Sequence, residues 1–239
     1  MLELSIVVPY FKKERTAVDD AQYKLAFLDG THVPYELIAV VDGRVDTTHD
    51  ALRGIRHQKL RIIVYKKNRG KGYAIRKGCE AAQGIFVGYI DGDRDIDVAV
   101  LRRMYEEIKS SAADIVYPNK YHHDSQCDIS LLRRILSVFY QILVRVLFHI
   151  DVKDTQTGAK MYRRNVLQAI LPHVYIDGFA FEIELFVTAA QLGYRNFRDV
   201  PVSIQRRSGS SIRYGTALRV VFDTLKIFLF RSRGGTVDV

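Results

Sequence analysis

The chain has 239 residues, 48% hydrophobic and 26% charged, which is a globular composition and enough length for one α/β domain with a full core or two small ones. Its formal net charge of +9 points to an anionic partner: nucleic acid, an anionic lipid surface or a phosphorylated substrate. No apolar run reaches the roughly 18 residues of a spanning helix, the start Met1-Leu2-Glu3-Leu4 lacks the marks of a signal peptide, and Cys79 and Cys127 have neither metal-ligand spacing nor a disulfide framework, which fits reduced thiols in the cytosol.

Leu4-Ser5-Ile6-Val7-Val8-Pro9 reads as a first buried strand broken by proline, followed by Glu14 in a polar loop and a helix from Val18 to Leu28. A second strand, Tyr35 to Val41, ends in Asp42-Gly43, and a short helix follows from Asp46 to Leu52. Leu60 to Tyr65 supplies a third strand, and Asn68-Arg69-Gly70-Lys71-Gly72 opens a helix running to about Ala82. Two readings fit that opening: exposed amides and Lys71 holding an anion at a helix start, or glycines serving only a tight turn.

The fourth strand, Ile85 to Ile90, stops at Asp91-Gly92-Asp93. Open α/β sheets bind ligands beyond the carboxyl ends of their strands, so both carboxylates fall where a ligand is expected. Like charges this close repel unless a cation lies between them, and hard oxygen ligands suit Mg²⁺ or Mn²⁺ on a diphosphate. The plain alternative is a turn, since Asp-Gly-Asp is good turn chemistry anywhere. Val98 to Ser110 is helical and Asp114 to Pro118 is a strand leading to Lys120. Strand and helix alternate three times over this half, which predicts an α/β fold with a mostly parallel, Rossmann-like sheet.

Ile129 to Ile150 carries a wide apolar face and a narrow polar stripe of Ser130, Arg134, Ser137, Gln141, Arg145 and His149. It is either a core helix or one lying in a lipid interface, and its arginines favour the interface. Asp154 to Tyr162 is a turn running into a strand, Asn165 to Leu171 a small helix, and Phe181 to Leu192 an amphipathic helix beginning Phe-Glu-Ile-Glu. Phe197 to Ile204 gives a last strand whose Pro201 indicates a sheet edge. Gln205 to Arg213 is basic, and Tyr214 to Arg231 is a second amphipathic helix. The expected organisation is a catalytic domain over 1–213, with the interfacial helix of 129–150 inserted, and a helix and tail over 214–239.

Taken in this order, seven motifs resemble those of family 2 glycosyltransferases with the GT-A fold, and more closely the polyprenyl- and dolichyl-phosphate mannose and glucose synthases. They are Val7-Val8-Pro9-Tyr10 with Glu14; Val41-Asp42-Gly43 with Asp46 and Thr48; Asn68 to Gly72; Asp91-Gly92-Asp93; Asp154 to Gly158 with Lys160; Phe181-Glu182-Ile183-Glu184; and Val200-Pro201-Val202 with the basic loop after it. Three positions depart from the pattern: Gly92 replaces the usual alanine, Asp95 a frequent glutamine, and Lys13 the asparagine before Glu14.

The resemblance implies an inverting transfer of a hexose from GDP-mannose or UDP-glucose to a lipid phosphate, by an enzyme attached peripherally to the cytoplasmic side of a membrane. It implies that Pro9, Tyr10, Glu14, Asp42 and Lys71 meet the donor, that Asp91 and Asp93 hold Mg²⁺ or Mn²⁺ on its diphosphate, and that Arg207, Ser208 and Ser211 close over it. Lys120 and Arg134 would meet the acceptor phosphate, and Asp93, Asp154 and Glu182 would stand at the reaction centre, although Glu182 and Glu184 also fit a solvated helix face. A hydroxyl acceptor is the rival within the same family. A basic nucleic-acid-binding module is the rival outside it; no groove-reading signature supports that module, so no nucleic-acid partner is expected.

Overall fold

The computed structural model describes residues 1–127, 131–178, 180–205 and 214–232. Its frame is a seven-stranded sheet of β1 (Leu4–Tyr10), β2 (Tyr35–Val41), β3 (Leu60–Val64), β4 (Phe86–Ile90), β5 (Ile115–Pro118), β7 (Ala159–Arg163) and β8 (Phe197–Val200). The strand order is β3-β2-β1-β4-β7-β5-β8, and a separate two-stranded ribbon pairs β6 (Gln126–Cys127) with β9 (Ser203–Ile204). All neighbours in the large sheet run parallel except β7, which is antiparallel to both β4 and β5.

The central strands are apolar on both faces because helices cover both sides. Against one face lie α1 (Ala17–Asp29), α2 (Thr48–Arg53) and α4 (Ala99–Ser110), packing Leu25, Leu28, Leu52, Leu101 and Met104 onto Ile6, Val8 and Leu37. Against the other lie α3 (Lys71–Ala81), α6 (Arg164–Ile170) and α7 (Phe181–Gln191), packing Ile75, Leu167, Ile183 and Phe186 onto Val7, Val40 and Tyr89. The expected break at Pro9 does not occur, and β1 continues through it to Tyr10. Pairing with β4 ends at Val7, so the missing donor costs that side of the sheet nothing. The expectation for β8 holds, since it forms one sheet edge just before Pro201.

Strand order reverses at β1, which has β2 on one side and β4 on the other. A crevice opens at such a switch point, beyond the carboxyl ends of the strands. Two long helices complete the chain: α5 (Leu131–Phe148) and α8 (Tyr214–Ser232). They meet through a hydrogen bond between the hydroxyls of Tyr140 and Thr224 (2.9 Å) and an edge-on contact of Phe148 with Phe228.

The expectation of an amphipathic helix at Phe181 is corrected. Every residue of α7 from Phe181 to Ala190 is buried, Glu182 and Glu184 included, so neither glutamate lies on a solvated face. The reason is layering: α7 is covered by the sheet on one side and by α6 and α8 on others, which leaves no wet stripe.

Candidate active site

The site begins where β4 ends. Asp91 donates its amide to the Gly158 carbonyl (2.9 Å), which fastens the start of the Asp-Gly-Asp turn to the strand entry of β7. A Cβ at position 92 would collide with the Pro9 carbonyl and the Tyr10 ring, so glycine stands here for want of room. Asp93 is half-buried, and burial together with the negative charge of Asp91 pushes its carboxyl above the ordinary carboxylate range. Two carboxylates of like charge one residue apart are a donor set matched to a divalent cation, so the residues present fit Mg²⁺ or Mn²⁺.

Facing this pair is Lys71, the first residue of α3. Its ammonium lies 2.7 Å from Asp91 Oδ1 and 2.9 Å from Glu182 Oε1. Burial alone would lower the lysine's pKa, but the charges of Asp91 and Glu182 outweigh it and hold the ammonium protonated well above its ordinary range. Glu182 also accepts from Lys160, a fully buried residue of β7, at 3.3 Å. For Lys160 the balance falls the other way: burial dominates and lowers its pKa despite Glu182 and Asp154.

The opening of α3 is fixed from two directions. Asp42, at the end of β2 and 3% exposed, accepts from the Tyr65 hydroxyl (2.8 Å), the Asn68 side-chain amide (2.7 Å) and the backbone amides of Arg69 (2.8 Å) and Gly70 (2.9 Å). From the other side the Asp177 carbonyl accepts the amides of Gly72 (2.9 Å) and Tyr73 (3.4 Å). Gly70 sits at φ +106°, where a side chain would also strike Asp177. Of the two readings of this loop, the hydrogen bonds favour the tight turn over a cradle of free amides. The amides of Arg69, Gly70, Gly72 and Tyr73 are engaged within the protein, and the loop presents the Lys71 ammonium instead.

A second cluster lies after β5. The Asp154 carboxylate, 1% exposed, accepts from Lys120 Nζ (3.1 Å), the Thr157 hydroxyl (2.5 Å) and the amides of Lys120, Gln156 and Thr157. Burial would raise its pKa, yet Lys120 and the Thr157 hydroxyl more than offset that and keep it below the ordinary range. Lys120 is raised in turn, since the charge of Asp154 overcomes its desolvation.

The structure thus brings Asp91, Lys71 and Glu182 together, and Lys120 with Asp154. Pro9 is half-buried beneath Gly92, and Tyr10 is turned inward, 1% exposed, with its hydroxyl on Asp20 (2.6 Å). Tyr10 therefore supports the turn from below rather than lining the crevice. Glu14 is exposed and accepts from Thr47 (3.3 Å). Arg134 is exposed near the start of α5. Arg207, Ser208 and Ser211 lie outside the described residues.

Sequence reasoning gave no role to Asp20, Lys24, Asp177 or Tyr140. Asp20 and Lys24 stand four apart on a helix, the signature of an ordinary surface ion pair. Tyr140 reads as one aromatic among many on an apolar face, yet its hydroxyl bonds that of Thr224 and ties α5 to α8. Only the fold gives these residues their neighbours.

A mostly parallel mixed sheet of seven strands flanked by helices on both faces has the architecture of a GT-A glycosyltransferase. A solved structure of glucosyl-3-phosphoglycerate synthase from Mycobacterium tuberculosis, in complex with Mn²⁺, UDP and phosphoglyceric acid, shares the fold with a TM-score of 0.69 at 18% identity, over 95% of this chain and 78% of that one. The chain belongs to glycosyl transferase family 2, whose family model matches residues 5–171, and it is a glycosyltransferase. Its relatives include a dolichyl-phosphate β-glucosyltransferase of Trichomonas vaginalis, 23% identical over 96% of this chain and 72% of the relative. The enzymes of the same description from Dictyostelium discoideum and Drosophila melanogaster are 26% and 29% identical, over 94% and 80% of this chain and 73% and 64% of their own lengths.

Proposed function

We propose that this enzyme transfers glucose from UDP-glucose to a polyprenyl or dolichyl phosphate at a membrane surface, with inversion at the anomeric carbon. The observation that carries the reading is the state of the two acids nearest the reaction centre. Glu182 is held by Lys71 and Lys160, and Asp154 by Lys120 and Thr157, so both carboxylates are already engaged by donors inside the protein. A hydroxyl acceptor needs a positioned base. A phosphomonoester already carries about −1.5 to −2 charge at pH 7 and needs cations to bring it in. Lys120, with Arg134 from α5, suits that task. Relatives named as dolichyl-phosphate β-glucosyltransferases support both the acceptor and glucose over mannose.

In this reading Asp91 and Asp93 hold Mg²⁺ or Mn²⁺, which supplies positive charge to the departing diphosphate. Lys71, already beside Asp91, adds a second cation on the same side. Asp42 fixes the corner from which Lys71 projects. The α5 helix turns Ile135, Leu136, Val138, Phe139, Ile142 and Val146 outward, and α8 adds Phe222, Leu225 and Leu229. No helix among the described residues is long and apolar enough to cross a membrane. An apolar face of this kind, flanked by Arg134 and Arg145, suits a peripheral seat on anionic lipid, with 1–213 as the catalytic unit and 214–239 completing the platform.

Incubation with UDP-glucose or GDP-mannose, and with a short polyprenyl phosphate or the matching polyprenol, tests the proposal. UDP-glucose with the phosphate should give a β-linked product by NMR, chelator should abolish it, and Mn²⁺ should restore it. Preferred transfer to the free alcohol, or an α-linked product, would overturn the reading.

A further inference from the structure

Beneath the Asp91–Gly92–Asp93 turn lies a buried ion pair that the transfer chemistry does not use. Lys24 of α1 is 1% exposed, and its ammonium is bound to the carboxylate of Asp20, itself 2% exposed. The same ammonium donates to the backbone carbonyl of Asp93 at 3.1 Å. The other Asp20 oxygen accepts from Tyr10, whose ring is the floor under Gly92. One residue on, the Arg94 guanidinium donates to the Asp19 carbonyl at 2.6 Å and stacks on the Tyr23 ring. A single face of α1 therefore fastens the turn at successive residues, while Gly158 fastens it at Asp91.

Burying an ammonium is costly even when it is paired, so a pair kept out of water at this point calls for a reason beyond surface charge balance. The geometry supplies one. Lys24 grips a carbonyl and does not occupy the Asp93 carboxylate, which accepts the Asp95 amide at 3.2 Å, in contrast to Lys71, which sits on the carboxylate of Asp91. It places positive charge behind two acids that repel each other without competing for the oxygens that face the crevice.

We propose that Lys24, held in place by Asp20, is a positioning residue that presets the Asp91–Asp93 turn to receive a divalent cation. This rests on the turn being the cation site proposed above. Outer partners that orient metal ligands typically govern affinity by about 10–100-fold.

The test compares wild type, Lys24→Met and the double variant Asp20→Asn/Lys24→Met, each as the full chain. Mn²⁺ binding is followed by electron paramagnetic resonance without donor, and Tm by calorimetry. Lys24→Met leaves Asp20 buried and alone, so its Tm should fall. The double variant removes both charges, keeps an acceptor for Tyr10, and should recover much of that Tm. If Lys24 positions the turn, Mn²⁺ should bind about tenfold or more weakly in the double variant despite its recovered stability. Its metal KM should rise with kcat at saturating Mn²⁺ within about twofold. Wild-type Mn²⁺ affinity in the double variant would overturn the proposal and reduce Lys24 to a counter-ion for Asp20. No Mn²⁺ binding by the wild type would instead remove the cation site itself, and this inference with it.

Discussion

Helices α5 and α7 treat their side chains in opposite ways. In α7, which opens Phe-Glu-Ile-Glu, the glutamates are buried with everything else: Glu182 is 4% exposed and Glu184 3%. In α5, one of the most apolar stretches of the chain, Phe139 is 71% exposed, Val146 64% and Ile142 55%. The difference teaches that burial here follows layer, not hydrophobicity. The α7 helix is clamped between sheet and helices, so its acids must find partners inside. Glu182 takes two lysines, and Glu184 accepts the amides of Tyr175 and Ile176 at 3.1 and 2.8 Å. The α5 helix lies outside that clamp, and among its described side chains only Val144 is fully buried.

The largest expected break in the contrast is Glu182→Ala. Removing one member of a buried charged cluster typically costs about 3–5 kcal/mol. Lys160, already pushed down by burial, is left without its counter-charge and can limit that loss by shedding its proton. Urea melts should show the drop, and transfer should fail because Lys71 loses one of its two anchors. Glu182→Gln keeps an acceptor oxygen and should retain measurable turnover. Complete loss in Glu182→Gln, with both substrates still bound, would restore it as a base.

On α5 the prediction is the reverse. Replacing Phe139, Ile142 and Val146 by serine should change stability by no more than about 0.5 kcal/mol each, as for ordinary surface sites. Each side chain that lipid buries fully is worth about 1.5–3 kcal/mol, so liposome co-sedimentation should fall steeply. A large drop in Tm with sedimentation unchanged would mean that the helix packs against protein.

A smaller effect separates two buried carboxylates by pH. Asp93 is raised in the folded protein, so its charge works against the fold at neutral pH. That penalty disappears as pH falls through the raised value. Asp154 is lowered, so its contribution is present above the ordinary carboxylate value and is lost only as pH falls through the depressed one. On acidification Mn²⁺ affinity should therefore decline first, while the Lys120–Asp154 clamp still holds. Simultaneous loss of metal binding and stability would show that the two sites titrate together.

Much of this was legible in the chain. The strands announce themselves as apolar runs, and Asp42, Asp91 and Asp93 as the acids that end them, because a strand covered on both faces must be apolar throughout and must stop where polarity begins. Motif order along the chain was enough to reach the family. Period and composition also marked α5 as unusually apolar. They do not say which layer a helix occupies, so the same reading made α7 amphipathic and left a solvated face open to Glu182 and Glu184 beside the role of Glu182 at the reaction centre. Only tertiary structure places Lys160 against Glu182, takes the amides before α3 out of play, and sets Lys24 under Asp93, 69 positions along the chain. The reason is physical: a pattern within one segment reports which faces are apolar, whereas pairing of buried charges depends on what the opposite element brings, and that is decided when sheet and helices close on each other.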